Sequence, residues 1–99
     1  MNNKIISLLG FSAKAGKLSF GYEAVISAIK TGKANLIVIA KDISEKTLKE
    51  VCYYADKNNV YCFKLDDIDL FTLSAAVGRK CGIVSVNDSN FATAIKAYE

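Results

Sequence analysis

Five consecutive apolar residues, Leu36-Ile37-Val38-Ile39-Ala40, constrain the fold of this chain more than any other segment. A strand with one face in water alternates apolar and polar residues. A strand that is apolar throughout and rich in β-branched residues is typical of a position covered on both faces. Such a strand needs a layer of structure on either side of it. We therefore expect this segment to be a central strand of an α/β fold.

Helical and strand patterns alternate along the 99 residues. Apolar residues at positions 22, 25, 26 and 29 have the spacing of an amphipathic helix, and Gly32 stands where a C-terminal glycine cap belongs. Strands are predicted at 17–20, 36–40, 60–64 and 82–86. Helix caps are expected at Asn2 or Asn3, Asp42, Asp66 or Asp67, and Asn87 or Asp88. We predict a single domain over residues 1–99, a three-layer α/β/α sandwich in the order αβαβαβαβα around a four-stranded mixed sheet.

The composition argues against an enzyme. The chain has no histidine, and its three cysteines (Cys52, Cys62 and Cys81) form no CxxC pair. Neither a histidine-activated nucleophile nor a grouped zinc site is therefore expected. The segment Gly10–Lys17 departs from a Walker phosphate loop, because five residues rather than four separate its glycines and Leu18 replaces the magnesium-binding Ser or Thr. We expect no catalytic residue, metal or cofactor, and we expect the cysteines to be small buried residues in a reducing compartment.

The apolar segments do not indicate a membrane protein. The run at 36–40 is far shorter than the roughly 20 residues that a membrane span needs. The first apolar residues are interrupted by Ser7 and Gly10 and followed by lysines, which is unlike a signal peptide. We expect a cytoplasmic protein without a membrane partner.

Charge is distributed unevenly along the chain. Up to Lys41, six lysines accompany a single carboxylate, Glu23, which gives a net charge of +5, whereas the remainder of the chain carries −2. Such asymmetry suggests an anionic partner, most simply a nucleic-acid backbone.

Gly21 directly precedes a predicted helix within the basic part of the chain. The N-terminus of a helix presents free N–H groups and partial positive charge, which suit an RNA phosphate or a base edge. Lys17 before the glycine, and Lys30, Lys33 and Lys41 after it, would extend the positive surface. The pattern predicts a basic edge at the start of the second helix.

Four segments resemble the ribosomal protein family of L-seven-Ae and L-thirty-e, and in particular its short, YlxQ-like bacterial members. In chain order they are LLGFSAKAGKLSFGYEAV, AIKTGKANLIVIAKDIS, LSAAVG and VNDSNFATAI. The resemblance covers essentially the whole chain. It implies an α/β/α sandwich whose members bind RNA, most characteristically kink-turns, in ribosomes and other ribonucleoproteins.

The resemblance also implies a binding edge at Gly21, flanked by the loop 40–44 and the turn 73–80. The family motif continues after this glycine with Asn, Glu and Lys at the second, third and sixth positions, where this chain has Glu23, Ala24 and Ser27. Glu23 can still accept a hydrogen bond from a guanine amino group, but Ser27 removes a charge-assisted contact. The residues predicted to contact RNA are Lys17, Gly21, Tyr22, Glu23, Ala24, Ser27, Lys30, Lys33, Lys41, Asp42, Ile43, Ser44, Ala76, Val77, Gly78, Arg79 and Lys80.

We therefore predict a non-catalytic RNA-binding protein of the ribosome or translation apparatus that binds structured, kink-turn-like RNA. Its expected partners are RNA and ribosomal or other ribonucleoprotein proteins. Replacing Lys17 and Lys33 with Ala is expected to weaken binding and flatten its salt dependence. The first alternative is a protein-interaction module that keeps the fold and has lost kink-turn recognition. The second, a small enzyme, requires a pocket at Cys62 or Cys81 with a lowered thiol pKa.

Overall fold

The computed structural model describes residues 3–99, which form five helices and four strands. In chain order they are α1 (Asn3–Lys14), β1 (Leu18–Phe20), α2 (Tyr22–Lys30), β2 (Leu36–Ile39), α3 (Glu45–Lys57), β3 (Tyr61–Lys64), α4 (Leu70–Val77), β4 (Ile83–Val86) and α5 (Ser89–Lys96). The predicted order of elements is confirmed. The cap predicted at Asn2 or Asn3 lies outside the part of the chain whose side chains are described.

The four strands form one mixed sheet in the order β1-β4-β2-β3. β4 is antiparallel to its neighbours β1 and β2, and β2 is parallel to β3. The carboxyl ends of β1, β2 and β3 therefore meet the amino end of β4 at one end of the sheet. We call this the glycine end, because Gly21 follows β1 and Gly82 precedes β4 there. We call the opposite end the lysine end, because Lys17 precedes β1 and Lys33 lies before β2 there.

Helices cover both faces of the sheet. Leu36 and Val38 pack in one apolar layer with α1, α4 and α5, whereas Ile37 and Ile39 pack in a second layer with α2 and α3. β2 is consequently buried along its whole length, as its uninterrupted apolar run predicts. The three-layer α/β/α architecture is confirmed.

The start of α3 differs from the prediction. Ser44, not Asp42, caps this helix, and its side chain accepts a hydrogen bond from the Thr47 N–H. The cap must directly precede the first helical residue, and Asp42 stands two positions too early. The Asp42 carboxylate instead accepts a hydrogen bond of 2.9 Å from the N–H of Leu70, the first residue of α4. Asp42 thus joins the β2–α3 loop to the start of α4.

The start of α4 also lies later than predicted. Asp69, rather than Asp66 or Asp67, caps this helix by accepting a hydrogen bond from the Thr72 N–H. The three acids are close in sequence, so their capping propensity does not distinguish among them. Of the two residues predicted to cap α5, Asn87 and Asp88, the cap is Asp88, whose side chain accepts a hydrogen bond from the Phe91 N–H.

Candidate nucleic-acid interface

Gly21 directly precedes α2 as its N-cap residue, and its backbone has a conformation that residues with a Cβ rarely adopt. Its φ is 86° and its ψ is 166°. The Gly21 N–H donates a hydrogen bond of 2.9 Å to the Ile83 carbonyl, which fixes the helix start against β4. No side chain among the described residues caps α2, whereas side chains cap α3, α4 and α5. The N–H groups of the first turn of α2 therefore have no side-chain acceptor in the described part of the chain at the positive end of the helix, which is the arrangement that suits an anion.

The loop 40–44 closes over the amino end of β4. The Ala40 N–H donates a hydrogen bond of 2.8 Å to the Gly82 carbonyl. Ile43 lies over Gly82, where a Cβ would collide with the Ile43 side chain and stand 3.0 Å from Leu70 Cδ1. Glycine at position 82 thus allows half-buried Ile43 to close the loop at the glycine end of the sheet.

Ser74 of α4 holds the turn that precedes β4. Its hydroxyl donates a hydrogen bond to the Cys81 carbonyl and accepts one from the Cys81 N–H, each 3.0 Å long. The Arg79 N–H also donates to the Ser74 carbonyl, at 3.1 Å. The Cζ atom of Arg79 lies 5.1 Å from the ring centroid of Phe20, the residue before Gly21. The turn therefore brings a guanidinium beside the start of α2.

The predicted contact residues on α2 share an exposed face. Glu23, Ala24 and Ser27 are exposed, and Ser27 lies one helical turn beyond the other two. Tyr22 does not join the buried face as its spacing predicts, because its side chain is 39% exposed. Desolvation and the nearby Glu50 carboxylate raise the pKa of Tyr22. Tyr22 therefore lies at the boundary between α2 and α3, beside the exposed face.

The structure separates the predicted lysines. Lys17 and Lys33 lie at the lysine end, and a strand rise of about 3.3 Å per residue puts Lys17 about 13 Å from Gly21. Lys30 ends α2, about 12 Å from its first residue. The Lys30 Nζ atom lies 4.8 Å from the ring centroid of Tyr54. β1 and α2 each extend away from the glycine, so the structure does not show these three lysines gathered with Gly21 in one basic edge.

The β3 side of the glycine end is acidic. Asp66 and Asp67 are exposed in the segment after β3. The Thr72 N–H and, to a smaller extent, the charge of Lys41 lower the pKa of Asp69. The predicted contact residue Lys41 thus has a carboxylate beside it. Arg79 and Lys80 are exposed and lie on the β1 and β4 side of the same end.

Four other predicted contact residues are occupied by contacts inside the protein. Val77 is only 8% exposed and packs in the core. Ala76 is half-buried, and its carbonyl oxygen would stand 3.2 Å from a Cβ at Gly10 of α1. Asp42 and Ser44 hold the starts of α4 and α3. The structure therefore gives these four residues a positioning role. Gly78 is the left-handed cap that ends α4, with a φ of 77°.

The described cysteines and carboxylates do not indicate a metal site or a nucleophilic cysteine. No group of three or more His, Cys, Asp or Glu side chains within residues 3–99 is arranged to hold a metal ion. Burial raises the pKa of the Cys62 and Cys81 thiols, whereas a nucleophilic cysteine needs a lowered pKa. Among the described helices, none has the length and apolar character needed to cross a membrane.

Comparison with known proteins identifies the family. The model of the ribosomal protein L7Ae/L30e/S12e/Gadd45 family matches residues 3–95. RNA-binding protein YlxQ of Enterococcus faecium is 32% identical over 96 residues, which cover 94% of this chain and 88% of that protein. Large ribosomal subunit protein eL30 of Candida glabrata is 36% identical over 94 residues, which cover 88% of this chain and 87% of that protein.

A solved structure shows the same fold. It is that of a protein with unknown function from Bacillus halodurans C, and it matches with a TM-score of 0.89 at 25% sequence identity. The match covers 95% of this chain and 94% of the other. Sequence motifs, sheet topology and relatives therefore agree, and the chain belongs to the ribosomal protein L7Ae/L30e/S12e/Gadd45 family.

Proposed function

We propose that this chain is a non-catalytic RNA-binding protein of the ribosomal type, which binds structured, kink-turn-like RNA at the glycine end of its sheet. One observation supports the proposal most: the start of α2 and the loop 40–44 each donate a hydrogen bond at the amino end of β4, and Arg79 of the turn 78–81 lies beside Phe20, although these segments are far apart in sequence. Relatives named as an RNA-binding protein and as large ribosomal subunit proteins support it. Cytoplasmic ribosomes or other ribonucleoproteins are the expected assemblies, with their RNA and proteins as partners.

Each segment offers a different contact to RNA. The N–H groups of the first turn of α2 donate to phosphate oxygens or base edges, and Gly21 lets the RNA backbone approach closely. Arg79 presents planar paired donors to a phosphate, and Lys80 adds a second positive charge. Ile43 provides an apolar surface against a ribose or a splayed base. Glu23 accepts a hydrogen bond from a guanine amino group.

The separation of the cations supplies a matched pair of variants. Arg79→Ala/Lys80→Ala removes two charges from the glycine end, and Lys17→Ala/Lys33→Ala removes the same number from the lysine end. We would measure Kd for a kink-turn RNA by fluorescence anisotropy over a series of potassium chloride concentrations. Each lost phosphate contact lowers the salt slope by about 0.7–0.9. We expect a fall of about 1.4–1.8 for the first variant and no change for the second.

The two variants test where RNA binds, and the wild-type protein tests whether it binds RNA at all. Equal changes of slope in the two variants would refute the assignment of the RNA site to the glycine end. Failure of the wild-type protein to bind either a kink-turn RNA or a plain duplex at low salt would refute RNA binding itself. That second result would favour the alternative of a protein-interaction module with the same fold.

A further inference from the structure

Cys52 of α3 and Cys62 of β3 face each other where the helix packs on the sheet. Their Sγ atoms are 3.5 Å apart, and both side chains are half-buried. The third cysteine, Cys81, is buried in the other apolar layer. The pair lies away from Gly21, because β3 is separated from β1 by three strand spacings, or about 14 Å.

We infer that Cys52 and Cys62 form a reversible intramolecular disulfide when the protein meets a small disulfide such as oxidised glutathione. The bond requires the two Sγ atoms to come within about 2.05 Å. The present gap of 3.5 Å exceeds this by about 1.5 Å, which rotation of the two side chains must close.

A surface cleft gives the oxidant access to one of the two thiols. Its volume is about 390 Å³, and Cys62 lines it together with Asp56, Asn59, Val60 and Tyr61. The Cys62 thiolate attacks the small disulfide, breaks its S–S bond and releases one small thiol. The Cys52 thiolate then attacks the Cys62 sulfur of the mixed disulfide and releases the second small thiol. Two protein thiols thereby lose two protons and two electrons, and one small disulfide becomes two thiols.

The surroundings of Cys62 make this exchange slow. Burial, followed by the contact with Cys52, raises the pKa of the Cys62 thiol. Thiolate is therefore scarce near neutral pH, and we expect oxidation over hours rather than seconds. In a reducing compartment the pair remains as two thiols and closes when the balance of small disulfide to thiol rises.

The bond would tie the edge strand β3 to α3 across a short loop. Closing a loop of roughly ten residues restricts the unfolded chain, and we expect Tm to rise by about 10–20 °C on oxidation. Because the bond lies outside the glycine end, we expect Kd for a kink-turn RNA to stay unchanged.

The test equilibrates the protein with oxidised and reduced glutathione in a series of ratios, then alkylates it under denaturing conditions for mass spectrometry. We expect a Cys52–Cys62 peptide, one alkylated cysteine at position 81, and a rise in Tm that dithiothreitol reverses. Cys81→Ser should form the same bond. Cys52→Ser should stop at a mixed disulfide on Cys62 without the rise in Tm.

Two results would overturn the inference. One is three alkylated cysteines in the wild-type protein at equilibrium with excess oxidised glutathione. The other is an equal rise in Tm in the Cys52→Ser variant, which would show that the stabilisation does not come from the bond. Neither result bears on RNA binding, which is measured separately.

Discussion

Gly21→Ala adds one methyl group at the start of α2, and the structure predicts its effect on folding. A Cβ at this position would meet no atom within 4 Å, so the substitution causes no clash. The effect comes from the backbone, whose φ of 86° and ψ of 166° lie in a region almost restricted to glycine. Holding alanine there lowers the free energy of unfolding by about 1–3 kcal/mol. In a domain of this size each kcal/mol lowers Tm by about 4–8 °C.

The same substitution should weaken RNA binding. The same strain favours a shift of alanine toward an ordinary φ, and such a shift disturbs the 2.9 Å hydrogen bond from the backbone N–H of residue 21 to the Ile83 carbonyl. The N–H groups of the first turn of α2 then shift relative to the RNA. Losing one hydrogen bond to a charged phosphate corresponds to about 1.5–3 kcal/mol. We expect Kd to rise by about 10- to 150-fold.

Gly32→Ala is the matched control for this prediction. Gly32 also has a positive φ, 79°, and open space around its missing Cβ, but it lies between α2 and β2 at the lysine end. We expect Tm to fall in both variants by thermal denaturation and Kd to rise only in Gly21→Ala by anisotropy. Wild-type affinity in folded Gly21→Ala, or equal losses of affinity in the two variants, would refute the role of the α2 start.

Two further predictions concern stability. Asn87→Ala breaks a chain in which the Ser85 hydroxyl donates to the Asn87 side-chain oxygen Oδ1 and the Asn87 side-chain Nδ2 donates to the Ser19 hydroxyl, each at 2.9 Å. Because Ser85 is fully buried, urea denaturation should show a loss of about 1–3 kcal/mol, and an unchanged midpoint would contradict this. Asp69→Ala removes the α4 cap, whose hydrogen bond from the Thr72 N–H lowers the pKa of Asp69 from its ordinary value. That contribution is present above about pH 4 and is lost as pH falls through the folded-state pKa. The difference in Tm from wild type should therefore shrink in acid, and a constant difference from pH 7 to pH 2 would count against it.

The elements of the fold were predictable because their signals are local. The apolar run at 36–40 determines a strand buried on both faces, and glycines at positions 32 and 78 end helices in the left-handed conformation. Cap positions were less predictable. Several acids stand near the start of α4, and only the folded backbone shows that Asp69, rather than Asp66 or Asp67, reaches the free N–H of Thr72.

Sequence patterns only weakly identified the residues that position the candidate interface, which are Gly82, Ile43 and Ser74. Gly82 stands directly before a buried strand, which hints at a close approach of another segment. The approaching residue is Ile43 from a distant loop, and nothing in the local sequence identifies it. No sequence pattern identified Ser74, because its hydrogen bonds to Cys81 form only when the turn folds back onto α4.

Distance along the chain is a poor guide to which positive charges lie beside Gly21. Lys17 and Gly21 are close in sequence but lie at opposite ends of the sheet, since an extended strand separates residues by about 3.3 Å each. Arg79 is distant in sequence, yet its guanidinium packs on the ring of Phe20 beside that same glycine. Charge counted along a sequence therefore indicates an anionic partner without locating the surface that meets it.

The position of Arg79 bears on the three residues of α2 that differ from the family motif. The substitutions at Glu23, Ala24 and Ser27 change exposed side chains, but they leave the uncapped N–H groups of the helix start in place. The lysine missing at position 27 is a loss of positive charge on one side of the glycine end. Arg79 supplies positive charge from the other side, on a turn that Ser74 already holds. A planar guanidinium on a fixed turn loses less conformational freedom on binding than a flexible lysine does, so the position of Arg79 favours the proposed phosphate contact.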